Sequence, residues 1–362
     1  MTNIIKNTIN EIILLIYDVS IRWFGNKKQF FPTLEDINNK DIKELSKRLE
    51  GDSEKETLTN ILEWQERNIK GWTDRMYMLI TMISSYVITL VGFVISFIIL
   101  IFIGSFSIFP VQIQTMMQIN NIMFLSIVFG AFMSLMLYLI IKYKIIKRNV
   151  QEFKLKDIFS FSLPTAKILR YKLAICRDYA KLTASLLFNI YPSNGIFFFA
   201  IPWHVATGIE INNKKYVIDQ KLPVLTWEKW LIYWKQKNTT VYISKLIKTS
   251  ENQLRFYFKK YKKLSLRKDL LTKPIDTQKI QHEVVKILKI SQISAKDKPD
   301  FELTFPKFAT YYEDDEIVIY SMARAIKKKL ENELCGNINT VSKIEIKHKK
   351  EDFVVDVYLN SK

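Results

Sequence analysis

The sequence predicts an α+β protein built around a helix and an antiparallel sheet, and attached to a two-helix transmembrane hairpin. Three observations predict it. Residues 76–141 carry no charged side chain at all. The stretch "CRDYAKLTASLLFNI" has helical apolar spacing and is followed by three short extended runs. The last fifty residues read as a helix and then two strands.

The uncharged stretch divides in two. Residues 77–103 are apolar and long enough to span a bilayer with some tilt. Residues 122–141 are 20 in number, about 30 Å as a helix, which matches a hydrocarbon core. Between them lies a more polar loop with Pro110, Gln112, Gln114, Gln118, Asn120 and Asn121 and no Lys or Arg. Lys142, Lys144, Lys147 and Arg148 follow the second span, and Arg67, Lys70 and Arg75 precede the first. By the positive-inside rule this predicts a multi-pass protein of the cell membrane, with both termini and the catalytic domain in the cytoplasm.

Residues 1–75 read as a helical region. Ile5, Ile9, Ile12, Ile16 and Val19 give residues 3–24 one apolar face. Ser53 with Glu56 stands as a capping box for a second helix carrying Leu58, Ile61, Leu62 and Trp64, expected to run on into the first span. The charge is uneven. Residues 1–75 hold 12 basic and 13 acidic side chains, whereas residues 142–362 hold 42 basic and 23 acidic. The basic excess fits anionic lipid headgroups as a partner of the C-terminal region. Nucleic acid is the weaker reading, because "FYFKKYKKLSLRK" comes with no nucleic-acid-binding motif.

Two cysteines cannot build a disulfide framework, and their spacing matches no zinc site. Cys176 opens its helix, where unpaired N–H groups and the helix dipole favour an anion. "GIFFFAI", "WHVATGIEI" and "YVIDQ" then read as an antiparallel meander with "NNKK" as a turn. His204 lies 28 residues after Cys176, and Asp219 lies 15 further on, at the end of the next strand. Neighbouring strands packed on the helix bring a nucleophile, a base and an orienting acid together. Arg177 and Asp178 are assigned to structure. Trp203 stands beside His204 as a candidate wall of a substrate channel. Cys335, before Gly336 at the end of a C-terminal helix, sits where a thiolate is disfavoured. The acidic run from Glu313 to Glu316 is explained by the dipole of that helix rather than by a metal.

"CRDYAKLTASLL", "WHVATGIEI" and "KKYVID" together resemble the core of the transglutaminase-like superfamily, a branch of the papain-like fold. The likeness covers about residues 160–235. It implies Cys176 as nucleophile, His204 as general base and acid, and Asp219 as the group that orients His204. It also implies acyl transfer through a thioester on a protein or peptide substrate, as a protease, amidase or transamidase, with no cofactor and no metal. The chain departs from the family pattern at Ala206, where Trp is common, and at Gln220, where Pro is common. The whole chain resembles an archaeal group of membrane-anchored proteins with this core. The alternative is a catalytically inactive, membrane-anchored scaffold of the same fold. The expected organisation is a helical region over 1–75, the hairpin over 76–142, the transglutaminase-like core over 150–236 and a basic α+β region over 237–362.

Overall fold

The structure, a computed structural model, describes residues 31–72, 162–201, 204–234, 241–249, 253–261, 275–293 and 296–360, with residue 251 and isolated residues between 140 and 160. Chain contacts divide the protein into two units: Met1–Gly71 with Ser162–Lys362, and Trp72–Phe161. The first unit carries the site.

Three helices open it: α1 (Leu34–Asn38), α2 (Lys40–Leu49) and α3 (Glu54–Asn68). Each begins on a side-chain cap that satisfies orphan N–H groups of the first turn. Thr33 and Asp36 exchange reciprocal bonds at α1, and Asn39 Oδ1 accepts from Asp41 N and Ile42 N at α2. At α3, Ser53 accepts from Glu56 N, while the Glu56 carboxylate reaches Asp52 N rather than Ser53 N. The expected continuation of α3 into a membrane span does not occur. The helix ends at Asn68, and the chain extends into β1 (Lys70–Gly71), which pairs in parallel with β2 (Leu173–Ala174).

After α4 (Thr165–Tyr171) and β2 comes α5 (Cys176–Ile190), the central helix. The sequence reading buries α5 on one side. In the structure every residue from Asp178 to Phe188 is buried. One side packs on the sheet, chiefly on β4 (His204–Ile211), and the opposite side is covered by the N-terminal helices. Asn189 Nδ2 donates to Ile37 O at 2.9 Å, and Gln65 Nε2 donates to Thr183 Oγ1 at 2.6 Å across that second interface. Each fully buried Leu or Phe here, such as Leu182, Leu186 and Phe188, contributes about 1.5–3 kcal/mol relative to exposure.

The sheet has six antiparallel strands in the order β6-β5-β4-β3-β7-β8. They are β3 (Ile196–Ile201), β4, β5 (Lys214–Ile218), β6 (Leu225–Thr226), β7 (Val241–Lys248) and β8 (Leu254–Tyr261). Strands β3 to β5 form the meander. Asn212 and Asn213 join β4 to β5 with φ of 50° and 62°, the two-residue hairpin geometry that Asn tolerates and that matches the sheet twist. Gly208 in β4 is required by close approach, since a Cβ there would lie 2.3 Å from Tyr216 O. Helix α6 (Trp227–Tyr233) follows β6.

The rest of the unit contains α7 (Thr277–Leu288), β9 (Phe301–Phe305), α8 (Phe308–Tyr311), α9 (Glu316–Glu333), β10 (Val341–Lys349) and β11 (Asp352–Leu359). The last strands form an antiparallel sheet in the order β10-β11-β9. Helix α9 starts on Asp315, whose Oδ1 accepts from Ile317 N and Val318 N, as the acidic run predicts. It packs on α3, where Arg324 makes a two-pronged pair with Glu63 at 2.9 and 2.7 Å.

The transmembrane hairpin is corrected. Among the described residues no helix is long and apolar enough to cross a membrane. Helix α9, at 18 residues the longest among them, carries Arg324, Lys327, Lys328 and Lys329, and such charges bar a span. The two segments on which the expectation rested, 77–103 and 122–141, lie outside the described residues, as does the apolar stretch 3–24. The multi-pass, cell-membrane placement and the bilayer as a partner through two spans depended on that hairpin and are withdrawn with it.

Candidate active site

Cys176 is the first residue of α5 and is partly exposed. No side chain of Ile175 caps this helix, and the first turn is held by Asp178 instead. Asp178 is fully buried. Its Oδ2 accepts from Ile175 N at 3.1 Å and its Oδ1 from Leu163 N at 2.8 Å. Tyr179, in the same turn, donates its hydroxyl to Ile69 O at 2.8 Å. The turn that presents the thiol is therefore tied to three separate points of the backbone. The Cys176 N–H, at the first helical position, has no intrahelical acceptor and remains a donor beside the sulfur.

His204 begins β4 and is 9% exposed. Asp219 follows β5 directly. The His204 Nε2 stands 2.8 Å from Asp219 Oδ1 and 2.8 Å from Oδ2. The Cys176 side chain lies close enough to the same imidazole to favour its charged form. With Nε2 held by Asp219, Nδ1 is the ring nitrogen left for the sulfur. The structure thus pairs His204 with Asp219, and Cys176 acts on the same ring. Trp203, the candidate channel wall, lies outside the described residues.

Burial acts most strongly on the His204 ring and works against its charge. The charge and hydrogen bond of Asp219, joined by those of Cys176, outweigh it and raise the imidazole to about 10. At neutral pH the ring keeps its second proton.

Two residues of the site escaped the sequence reading. Trp230, on α6, donates Nε1–H to Asp219 Oδ2 at 2.8 Å, and its ring centroid lies 6.0 Å from that of His204. Trp234, one helical turn on, lays its indole over the imidazole at 4.2 Å and 30°. The signal was a W-x-x-x-W spacing soon after Asp219, which places both indoles on one helix face. Tyr233 stands edge-on to Trp234, and burial, helped by the Asp219 charge, raises its phenol. Cys335 is exposed just beyond α9. Among the described residues no group of three or more His, Cys, Asp or Glu is arranged to hold a metal ion.

Comparison with known proteins agrees with this core. A family model described as a transglutaminase-like domain matches residues 40–248. A UPF0252 protein of Methanocaldococcus jannaschii is 30% identical over 341 residues, covering 90% of this chain and 94% of the relative. A second protein of that organism, named only as uncharacterized, is 41% identical over 59 residues, covering 16% of this chain and 84% of its own. No solved structure matches the chain. A transglutaminase-like domain is a fold of cysteine-based acyl transfer and proteolysis, and it fits a protein or peptide substrate. The family model spans more than half of the sequence and the UPF0252 relative nearly all of it, so the chain belongs to the transglutaminase-like family.

Proposed function

We propose that this protein is a cysteine acyltransfer enzyme acting on amide bonds of a protein or peptide through a thioester. The observation that carries the reading is the 2.8 Å contact of His204 with Asp219, on an imidazole whose charged form Cys176 also favours. His204 beside the sulfur is placed to take the thiol proton as the sulfur attacks.

In the first half-reaction the sulfur bonds to the carbonyl carbon, and the π pair moves to oxygen. The Cys176 N–H at the head of α5 is one donor for that oxyanion. Collapse breaks the carbon–nitrogen bond, and His204 gives its proton to the leaving amine. In the second, the now neutral His204 takes a proton from water or from an incoming amine, whose lone pair attacks the thioester and expels the sulfur. Water gives hydrolysis and an amine gives transamidation. Asp219 holds the imidazole in one orientation throughout and balances the charge that it carries in the resting enzyme, while Trp230 holds Asp219.

The test is to trap the thioester. The full chain is incubated with an activated ester, quenched in acid and digested. Mass spectrometry should find an acyl group on Cys176 that hydroxylamine removes, and none on the Cys176→Ala variant. Acylation of neither cysteine, or of Cys335 alone, would leave the fold as a binding scaffold.

A further inference from the structure

Helix α6 has two working faces. Trp230 and Trp234, one turn apart, meet the His204–Asp219 pair: Trp230 Nε1–H donates to Asp219 Oδ2 at 2.8 Å, and the Trp234 ring lies 4.2 Å from the imidazole. Lys229 and Tyr233, also one turn apart, turn to α8 instead. Lys229 Nζ donates to Thr310 O at 3.3 Å, and the Tyr233 ring stands 5.1 Å from that of Tyr311. Lys229 is only 6% exposed, and burying an ammonium costs free energy that specific contacts must offset. Helix α6 is 7 residues long, and a helix so short has no stability of its own, so its place is set by what packs on it. Helix α8 is anchored in turn at the start of β11. Ala309 N donates to Glu351 O at 3.0 Å, and Lys307 N donates to Asp352 Oδ1 at 2.8 Å.

We infer that Lys229 and Tyr311 are positioning residues of the site, and that α8 with the C-terminal sheet behind it is the seat on which α6 holds the His204–Asp219 pair. This rests on the acyl-transfer reading and extends the site past residue 248, where the family match ends. The contacts run from β11 to α8, from α8 to α6, and from α6 to Asp219 and His204. If α6 shifts off its seat, Trp230 withdraws its donor from Asp219 and Trp234 withdraws its ring from the imidazole. The imidazole then loses the orientation in which it serves Cys176. Misplacement by about 1 Å is enough to cost about 10²-fold in rate. Lys229 and Tyr311 therefore act on the response of the thiol through the imidazole and not on the bond-making step itself.

The test compares full-length wild type with Lys229→Met, Tyr311→Leu and Tyr311→Phe. Met keeps the stem and loses the donor, Leu loses the ring, and Phe keeps it. Each protein is treated with iodoacetamide at pH 6 and at pH 9, with Cys335 as the internal reference, and its urea midpoint is measured. Near pH 9 a thiol ionises unaided, since its ordinary value is about 8.5, whereas at pH 6 it depends on the oriented imidazole. Lys229→Met and Tyr311→Leu should label Cys176 about threefold to tenfold more slowly than wild type at pH 6 and within about twofold at pH 9, while Tyr311→Phe stays within about twofold at both. No selective slowing at pH 6, whatever the urea midpoints, would mean that the seam adds stability alone. Equal slowing at both pH values would mean altered access to the sulfur. Either result overturns the inference. Should Lys229→Met not fold, Tyr311→Leu probes the other side of the seam and decides by the same criteria. Parallel treatment with p-nitrophenyl acetate separates the two claims. Wild-type protein that labels at Cys176 yet is never acylated would refute acyl transfer, and the labelling ratios would still decide the seam.

Discussion

His204 Nε2 lies equally close, at 2.8 Å, to both oxygens of Asp219, and one of those oxygens also accepts from Trp230 at 2.8 Å. The carboxylate is thus fixed by an indole that cannot titrate, and it fixes the imidazole in turn. Asp219→Asn keeps the size but loses the charge, and it presents an amide that points a donor at Nε2 or at Trp230. Acylation by an activated ester should fall by about 10²–10⁴, the scale on which a misoriented catalytic histidine costs rate. Stopped-flow release of nitrophenolate measures it.

The raised His204 sets a pH dependence of stability. A group raised from its ordinary 6.5 to about 10 contributes stability that is fully present below pH 6.5 and is lost as the pH climbs through 10. Urea unfolding at pH 6.5 and at pH 10 should show wild type losing on the order of 2 kcal/mol more than His204→Gln, after allowance for the partial exposure of Asp219. Equal losses in the two proteins would mean that the imidazole is not charged in the folded state.

Asp178 satisfies two buried backbone donors from different parts of the chain, Leu163 N and Ile175 N. Asp178→Ala leaves both without an acceptor and should cost about 2–4 kcal/mol, read as a lower urea midpoint at unchanged slope. Asp178→Asn keeps one acceptor oxygen and should cost less. Because Ile175 directly precedes Cys176, both variants should also slow alkylation of Cys176.

Much of the site was legible in the sequence because it is built from local signals. The helix start at Cys176, the strand beginning at His204 and the Asn212–Asn213 turn each follow from spacing and residue type over a few positions. The full burial of α5 was not legible, because it depends on α1 to α3 closing over the helix from more than a hundred residues upstream. Trp230 and Trp234 were missed for the same reason. A tryptophan on a short helix reads as core until the fold places that helix over the imidazole. The reading of α3 as running into a membrane span gave way to two hydrogen-bonded residues of β1, a pairing that exists only once β2 is in place.

The central claim is that Cys176 is an activated nucleophile, and the contrast between the two cysteines tests it most directly. Cys335 is exposed and Cys176 only partly so, which means that accessibility alone favours Cys335. Full-length protein is treated with iodoacetamide at pH 6, and the two thiols are followed by peptide mapping. The imidazolium of His204 beside the sulfur predicts that Cys176 labels faster by about tenfold or more, and that His204→Ala removes most of the difference. Labelling of Cys176 no faster than Cys335, with Cys176 shown to be reachable at pH 9, would contradict the account.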